Sequence, residues 1–299
     1  MEQAYTVRRL REDEVQAALD LTWEVFLEFD APGYSEEGVQ SFRANLDDTE
    51  KTRRLLFYGA FDGSTLIGTI CTRPPQHIGG FFVKGAYHGK GIGRALFEAI
   101  SKEYDKQEFT VNSSPYAVEI YRKLGFFPIK PEQCEDGIRY TPMIFRKDYD
   151  TLELRICRNK QPEDEPGAEM PPEEAVEYYI NGTALLDIIR EIETPFCEQE
   201  DCTRLIAAYG YRSKNNAVYA LEQGLEPGSY EYDFGVELYC CSGCFDPGCW
   251  SVLCSLCADG DSILMTDFRQ NHRNNWKYPI GYRFTKENFF AELEKLKAT

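Results

Sequence analysis

Between Phe81 and Arg94 the chain reads Phe81-Phe82-Val83-Lys84-Gly85-Ala86-Tyr87-His88-Gly89-Lys90-Gly91-Ile92-Gly93-Arg94, a hydrophobic strand running into a glycine loop that opens a helix. Glycine at every second position, 89, 91 and 93, permits backbone conformations closed to other residues and lets N–H groups crowd onto an anion. The helix expected from Gly91 to about Tyr104 adds its positive N-terminal end at the same spot. The spacing excludes two other glycine loops. A dinucleotide fingerprint needs Gly-x-Gly-x-x-Gly, and the chain has Gly89-x-Gly91-x-Gly93. A phosphate-binding P-loop needs four residues between its glycines and then Lys-Ser/Thr, whereas three separate Gly85 from Gly89 and Gly91 follows Lys90.

A second piece lies downstream: Val111-Asn112-Ser113-Ser114-Pro115-Tyr116, then Tyr121-Arg122-Lys123-Leu124-Gly125-Phe126. The two stretches together resemble the cofactor-binding motifs of the GNAT superfamily of acyl-CoA-dependent N-acetyltransferases. The order of elements agrees. Tyr5–Arg9 alternates as a strand, Glu12–Phe29 has apolar residues at helical spacing, and Ser35 caps a short helix. Leu55–Phe61 and Thr65–Thr72 form a hairpin about Asp62-Gly63, and His77–Val83 feeds the glycine loop. Phe109–Asn112, the helix Tyr116–Leu124 ended by Gly125, and Tyr140–Phe145 complete a βααβββαβαβ order over residues 3–147. The expected class is α/β (α+β): a GNAT-like mixed central sheet with flanking helices, followed by a second, smaller α+β domain.

At 299 residues, two domains are expected: 1–150 the acetyltransferase domain, 151–172 an acidic Pro-rich linker and 173–299 a cysteine-rich α+β domain. The aperiodic stretch Asn159–Pro172 is the heart of the linker, and Leu152–Cys157 suits either side of it. Beyond it, Val176–Ile180, Gly235–Cys240, Trp250–Ala258 and Ser262–Phe268 read as strands, and Thr183–Glu193, Ser213–Gln223 and a segment capped by Thr285 as helices. Net charge is −17, with 19 Lys+Arg against 24 Asp+Glu in the first 150 residues and 14 against 26 in the rest. That balance speaks against nucleic acid and mildly for a cationic acceptor, although solubility alone explains it as well. No run of about 20 apolar residues suggests a membrane span, and the start Met-Glu-Gln-Ala lacks a signal-peptide layout, so a cytoplasmic protein without membrane partners is expected.

The resemblance implies acetyl-CoA as cosubstrate and direct transfer of its acetyl group to a small-molecule or protein amine in a ternary complex. Gly79 and Gly80 allow the strand to bulge and expose the backbone of Phe81, Phe82 and Val83, with the Val83 N–H as oxyanion donor. Gly89, Lys90, Gly91, Ile92, Gly93 and Arg94 would cradle the pyrophosphate, His88 stands where the family usually carries Arg or Gln, and Asn112 matches a pantetheine-binding amide. Tyr121 matches the phenol that protonates the leaving thiolate, or is a packed helix aromatic. His77, six residues before Val83, is a candidate base or a strand-edge histidine; Glu24 and Glu28, one helical turn apart, line the amine pocket or a solvated face. Tyr34 is a candidate for shaping that pocket. The rival reading is a non-catalytic acyl-CoA sensor whose C-terminal domain binds a partner.

Nine of the 11 cysteines lie beyond residue 150, four of them in Cys240-Cys241-Ser242-Gly243-Cys244-Phe245-Asp246-Pro247-Gly248-Cys249. Three readings stay open. Cys241, Cys244 and Cys249 with Cys240 or His272 could hold a structural zinc, the thiols could be buried as small apolar groups, or Cys241 and Cys244 could be a redox pair. Cys254 and Cys257 stand an odd number apart on a strand and should face opposite sides.

Overall fold

The computed structural model describes residues 5–105, 108–158, 174–246 and 248–298. The chain divides into two compact units, Met1–Lys147 and Asp148–Thr299.

The first unit runs β1 (Thr6–Arg9), α1 (Val15–Phe29), α2 (Glu36–Asp47), α3 (Thr49–Thr52), β2 (Leu56–Asp62), β3 (Thr65–Arg73), β4 (His77–Val83), α4 (Ile92–Ser101), β5 (Glu108–Ser113), α5 (Val118–Leu124), β6 (Phe126–Pro128), β7 (Gln133–Glu135) and β8 (Ile138–Arg146). Local chemistry sets these boundaries. Ser35 Oγ accepts the Gly38 N–H to start α2, Asp48 accepts from Glu50 and Lys51 to start α3, and Gly125 in the left-handed region ends α5. The strands form a mixed sheet in the order β1-β2-β3-β4-β5-β8-β6, with β7 paired to β8. The β3–β4 register shifts where Cys71 faces Gly80 and Thr72 faces Ile78, leaving Gly79 as the extra, bulged residue. β4 and β5 are parallel and pair only at His77 with Thr110 and Ile78 with Val111. Past that point the two strands part. Ile67, Ile70, Ile92, Leu96, Phe109 and Met143, all fully buried, pack α4 against the sheet, and α1 packs Ala18 with Phe57 and Phe61.

The second unit runs β9 (Leu152–Cys157), β10 (Ala175–Ile180), β11 (Thr183–Ala184), α6 (Leu185–Gln199), β12 (Tyr209–Tyr211), α7 (Lys214–Gln223), α8 (Tyr230–Phe234), β13 (Val236–Cys241), β14 (Val252–Asp259), β15 (Ser262–Gln270), β16 (Tyr282–Thr285) and α9 (Lys286–Ala298). Its sheets are β11-β10-β9 and β12-β13-β14-β15-β16, around one core that includes Tyr178, Tyr239, Trp276, Tyr278, Phe268, Phe284 and Phe289. Part of the expected linker is therefore sheet: Leu152–Cys157 pairs along its whole length with Ala175–Ile180 and belongs to the second unit. The rest of that stretch, from residue 159, lies outside the described residues. Thr183 opens a strand instead of a helix, because Asn181 and Gly182, both at positive φ, turn the chain back into a hairpin. α6 then continues to Gln199 with Pro195 inside it, past the expected end at Glu193.

Candidate functional site

The parting of β4 from β5 opens a cavity of about 750 Å³. Its chemistry begins with the main chain. The Lys84 N–H bonds to the Ile67 carbonyl at 2.9 Å. Hydrogen-bonded pairs alternate along an antiparallel ladder, so Phe82 is turned to Thr69 on β3. Phe81 and Val83 then aim their N–H and C=O groups at the opposite edge, into the space that β5 has vacated. His88 supports this geometry: its Nε2–H donates to the Val83 carbonyl at 2.7 Å, and since a carbonyl only accepts, the proton is on Nε2. The Val83 N–H is left as a donor facing the cavity.

At one end of the cavity lies the glycine loop. Gly89 and Gly91 have φ of +73° and +81°, and a Cβ built at Gly89 would meet nothing within 4 Å. Gly91 is the N-cap of α4 without any side-chain cap, so the first-turn N–H groups of Ile92, Gly93 and Arg94 keep their donors for an external acceptor. A diphosphate fits this cradle. Gly89, Gly91, Ile92, Gly93 and Arg94 all line the cavity; Lys90 does not, and its ammonium sits 4.7 Å from the centre of the Tyr87 ring. Asn112, at the point where β5 leaves β4, lines the cavity with Phe81, Phe82, Val83 and His88.

Tyr121 reaches the cavity from α5. Its ring packs on Phe81 and Phe126, with centroids at 5.8 and 5.2 Å. Burial, with smaller contributions from Cys71 and Asp30, raises its phenol far above the ordinary value, so the hydroxyl keeps its proton at any working pH.

The other end is built by α1, α2 and the β7–β8 hairpin. Phe26 stacks on Phe42 at 3.9 Å and Phe29 on Tyr116 at 5.2 Å. The Tyr34 hydroxyl donates to the Arg139 carbonyl at 2.8 Å, tying the end of α1 to β8; its own phenol is pushed up to about 12, first by burial and then by Asp30. Asp30, Glu135 and Asp136 are the carboxylates of the lining. Asp30 is only 8% exposed, and burial raises its carboxyl above the usual range against a hydrogen bond from Ser114.

The structure brings Tyr121 and Tyr34 to this cavity and leaves the three expected base candidates outside its lining. His77 lies at the end of β4 that is still paired with β5. Its Nδ1 is 3.0 Å from Thr110 Oγ1, and burial, helped by Arg73, holds its imidazolium down to about 4. Glu24 is exposed and paired with Lys84 at 3.0 Å, and Glu28 is exposed on the same face of α1. None of the carboxylates that do line it, Asp30, Glu135 and Asp136, was singled out in the sequence, and of these Asp30 is the buried one. A signal was present: Asp30 closes α1, and an acid at a helix C-terminus faces the negative end of the macrodipole.

In the second unit, the sulfurs of Cys241, Cys244 and Cys249 lie within 4.8 Å of one another. Cys240 is not part of this group. As the neighbour of Cys241 on β13 it faces the core, 2% exposed, with its thiol on the Gly210 carbonyl. Nor is His272, whose Nε2 is 3.2 Å from the Gly248 carbonyl. Cys254 is fully buried and Cys257 exposed, on opposite faces of β14.

The family model of the GNAT acetyltransferase domain matches residues 30–147. Among solved structures the chain is similar to a GCN5-related N-acetyltransferase from Rhodopseudomonas palustris, at 21% identity over 47% of this chain and 94% of that one, with a TM-score of 0.42. It is likewise similar to PaiA N-acetyltransferase from Thermoplasma acidophilum, solved in complex with coenzyme A, at 24% identity over 48% and 98% of the two chains and a TM-score of 0.40. No curated protein sequence matches the chain. The match of the family model ends where the first unit does.

Proposed function

With residues 30–147 a GNAT acetyltransferase domain, we propose that the chain moves an acetyl group from acetyl-CoA to a cationic amine by direct attack in a ternary complex. The observation that carries this reading is the parted edge of β4, where the Phe81 and Val83 main chain faces a cavity continuous with the glycine loop. Bound acetyl-CoA supplies the activated acetyl thioester. The Val83 N–H is the donor available to the oxygen of the acetyl carbonyl as charge develops there. Asp30 accepts one proton from the ammonium, and the raised carboxyl suits that task better than an ordinary surface carboxylate. As the new C–N bond forms and the C–S bond breaks, Tyr121 gives its proton to the departing sulfur and regains one from the acylated nitrogen. The three carboxylates Asp30, Glu135 and Asp136, beside Phe26, Phe42 and Tyr34, favour a positively charged acceptor over an anion.

The test is incubation with acetyl-CoA and a panel of mono- and polyamines, aminoglycosides and peptides. Product is read by mass spectrometry rather than by a thiol reagent, because the chain carries 11 cysteines. Acetylation of basic acceptors ahead of acidic ones is expected. Coenzyme A binding without acetylation of any acceptor would favour a non-catalytic sensor, and no binding at millimolar cofactor would remove the reading altogether.

A further inference from the structure

We propose that Cys241, Cys244 and Cys249 hold one zinc ion through three thiolates, with the fourth position open to solvent or to an external donor. The three sulfurs already lie within 4.8 Å of one another. Around a tetrahedral ion with Zn–S bonds of about 2.3 Å, sulfurs stand about 3.8 Å apart, so side-chain adjustment alone closes the site.

The loop is built for this convergence. β13 ends at Cys241, and the chain turns back at once, with the Phe245 N–H on the Cys241 carbonyl at 3.0 Å and Phe245 at a φ of 55°. Backbone N–H groups of Gly243 and Cys244 donate to the Cys241 sulfur. Donors aimed at sulfur favour the thiolate, the form that binds metal. The far side is fixed independently of any metal. The Gly248 N–H donates to Glu237 Oε1 at 2.8 Å, and its carbonyl accepts from Asn271 Nδ2 at 2.6 Å, which holds the neighbouring Cys249 in place. A disulfide would employ two of these sulfurs and leave the third without a role.

An all-thiolate donor set selects soft or borderline ions, of which zinc needs no redox partner. Among the described residues no fourth cysteine, histidine or carboxylate atom joins the group, and Cys249 is exposed. A site of three protein ligands with one vacancy is the arrangement that admits an exogenous ligand.

The full chain, produced without a metal-affinity tag, is analysed for zinc and titrated with Co²⁺ in reducing buffer. About one zinc per chain and a thiolate-to-cobalt charge-transfer band are expected. Cys249→Ser, at an exposed position, should lower zinc to a small fraction. Cys240→Ala and Cys257→Ser should retain it. Imidazole added to the cobalt form should shift its visible bands. Full zinc in Cys249→Ser, loss of zinc in Cys240→Ala, or less than about 0.2 zinc per chain in the zinc-loaded wild type would overturn the site. Cobalt bands unmoved by imidazole would overturn the open position, and iron or copper on the same cysteines would overturn zinc.

Discussion

At the scale of single residues, the cavity separates groups by what surrounds them. Tyr121 is held protonated by burial, the state that the proposed acid role requires. Tyr121→Phe keeps the ring between Phe81 and Phe126 and removes only the hydroxyl; turnover should fall about 10²-fold with coenzyme A affinity held, as read by steady-state kinetics beside calorimetry. Unchanged turnover would remove it from the acid role. Asp30 is predicted to set the lower limb of the pH profile. Its folded carboxyl titrates above the ordinary carboxylate value, so activity should rise as pH climbs through that raised value, and Asp30→Asn should abolish the limb. A limb that survives in Asp30→Asn would place the base elsewhere. The main-chain cradle was legible because it is written in glycine spacing, which is a local property. The carboxylate was not, because whether Glu24, Glu28 or Asp30 turns inward depends on the rotation of α1 against the sheet. Glu193 makes the same point in the second unit. It ends the helix expected from the sequence, and in the fold it is fully buried and accepts from Tyr209, Tyr278 and the Ala207 N–H, partners 14 to 85 residues away.

At the scale of elements, β4 carries two opposite functions along its seven residues. Its first residues are paired on both edges, and its last ones on one. His77 belongs to the paired end, and its burial there has a pH signature. In the unfolded chain the imidazole takes up a proton near 6.5, and in the fold only near 4. The neutral form is thus the one that the fold accepts. Stability is at its full value above about 6.5 and falls as pH drops from there towards 4, by about 2–3 kcal/mol if the burial is maintained. His77→Gln should flatten that stretch of the denaturation-against-pH curve; an unaltered slope would contradict the burial. At the other end, Gly91→Val tests the loop. A Cβ at Gly91 would meet only the Tyr5 hydroxyl, at 3.7 Å, so the penalty comes from forcing a β-branched residue to a φ of +81°. Such a residue strains the left-handed region by about 1–2 kcal/mol, and relieving it moves the N–H groups, so coenzyme A should bind at least about tenfold more weakly. Wild-type affinity would contradict the place given to the loop. The β2–β3 hairpin and α2 of the first unit were readable because the turn carries Asp62-Gly63 and the cap is Ser35. The short strands Tyr209–Tyr211 and Tyr282–Thr285 were not, since three or four residues at the edge of a sheet have no period of their own.

At the scale of the whole molecule, the two units have separate interiors. Among the described residues, the buried apolar side chains of the second unit come from Leu152 onward, and those of the first end at Ile144. We expect them to behave as separate cooperative units, each reporting its own ligand. Coenzyme A at about 100 times its Kd adds about 2.7 kcal/mol to the unit that binds it. For a unit of about 150 residues that corresponds to a rise of about 5–10 °C in its melting transition. A zinc chelator should act on the other transition, lowering it while leaving coenzyme A affinity unaltered, because the thiolates and the glycine loop share no core residue. Scanning calorimetry of the full chain, alone, with coenzyme A, with chelator and with both, gives the four curves required. Two transitions, each answering to one additive, would fit separate interiors. A single transition that moves with either additive would mean that the units unfold together, and the acetyl-transfer chemistry and the cysteine site would then have to be understood as parts of one cooperative structure.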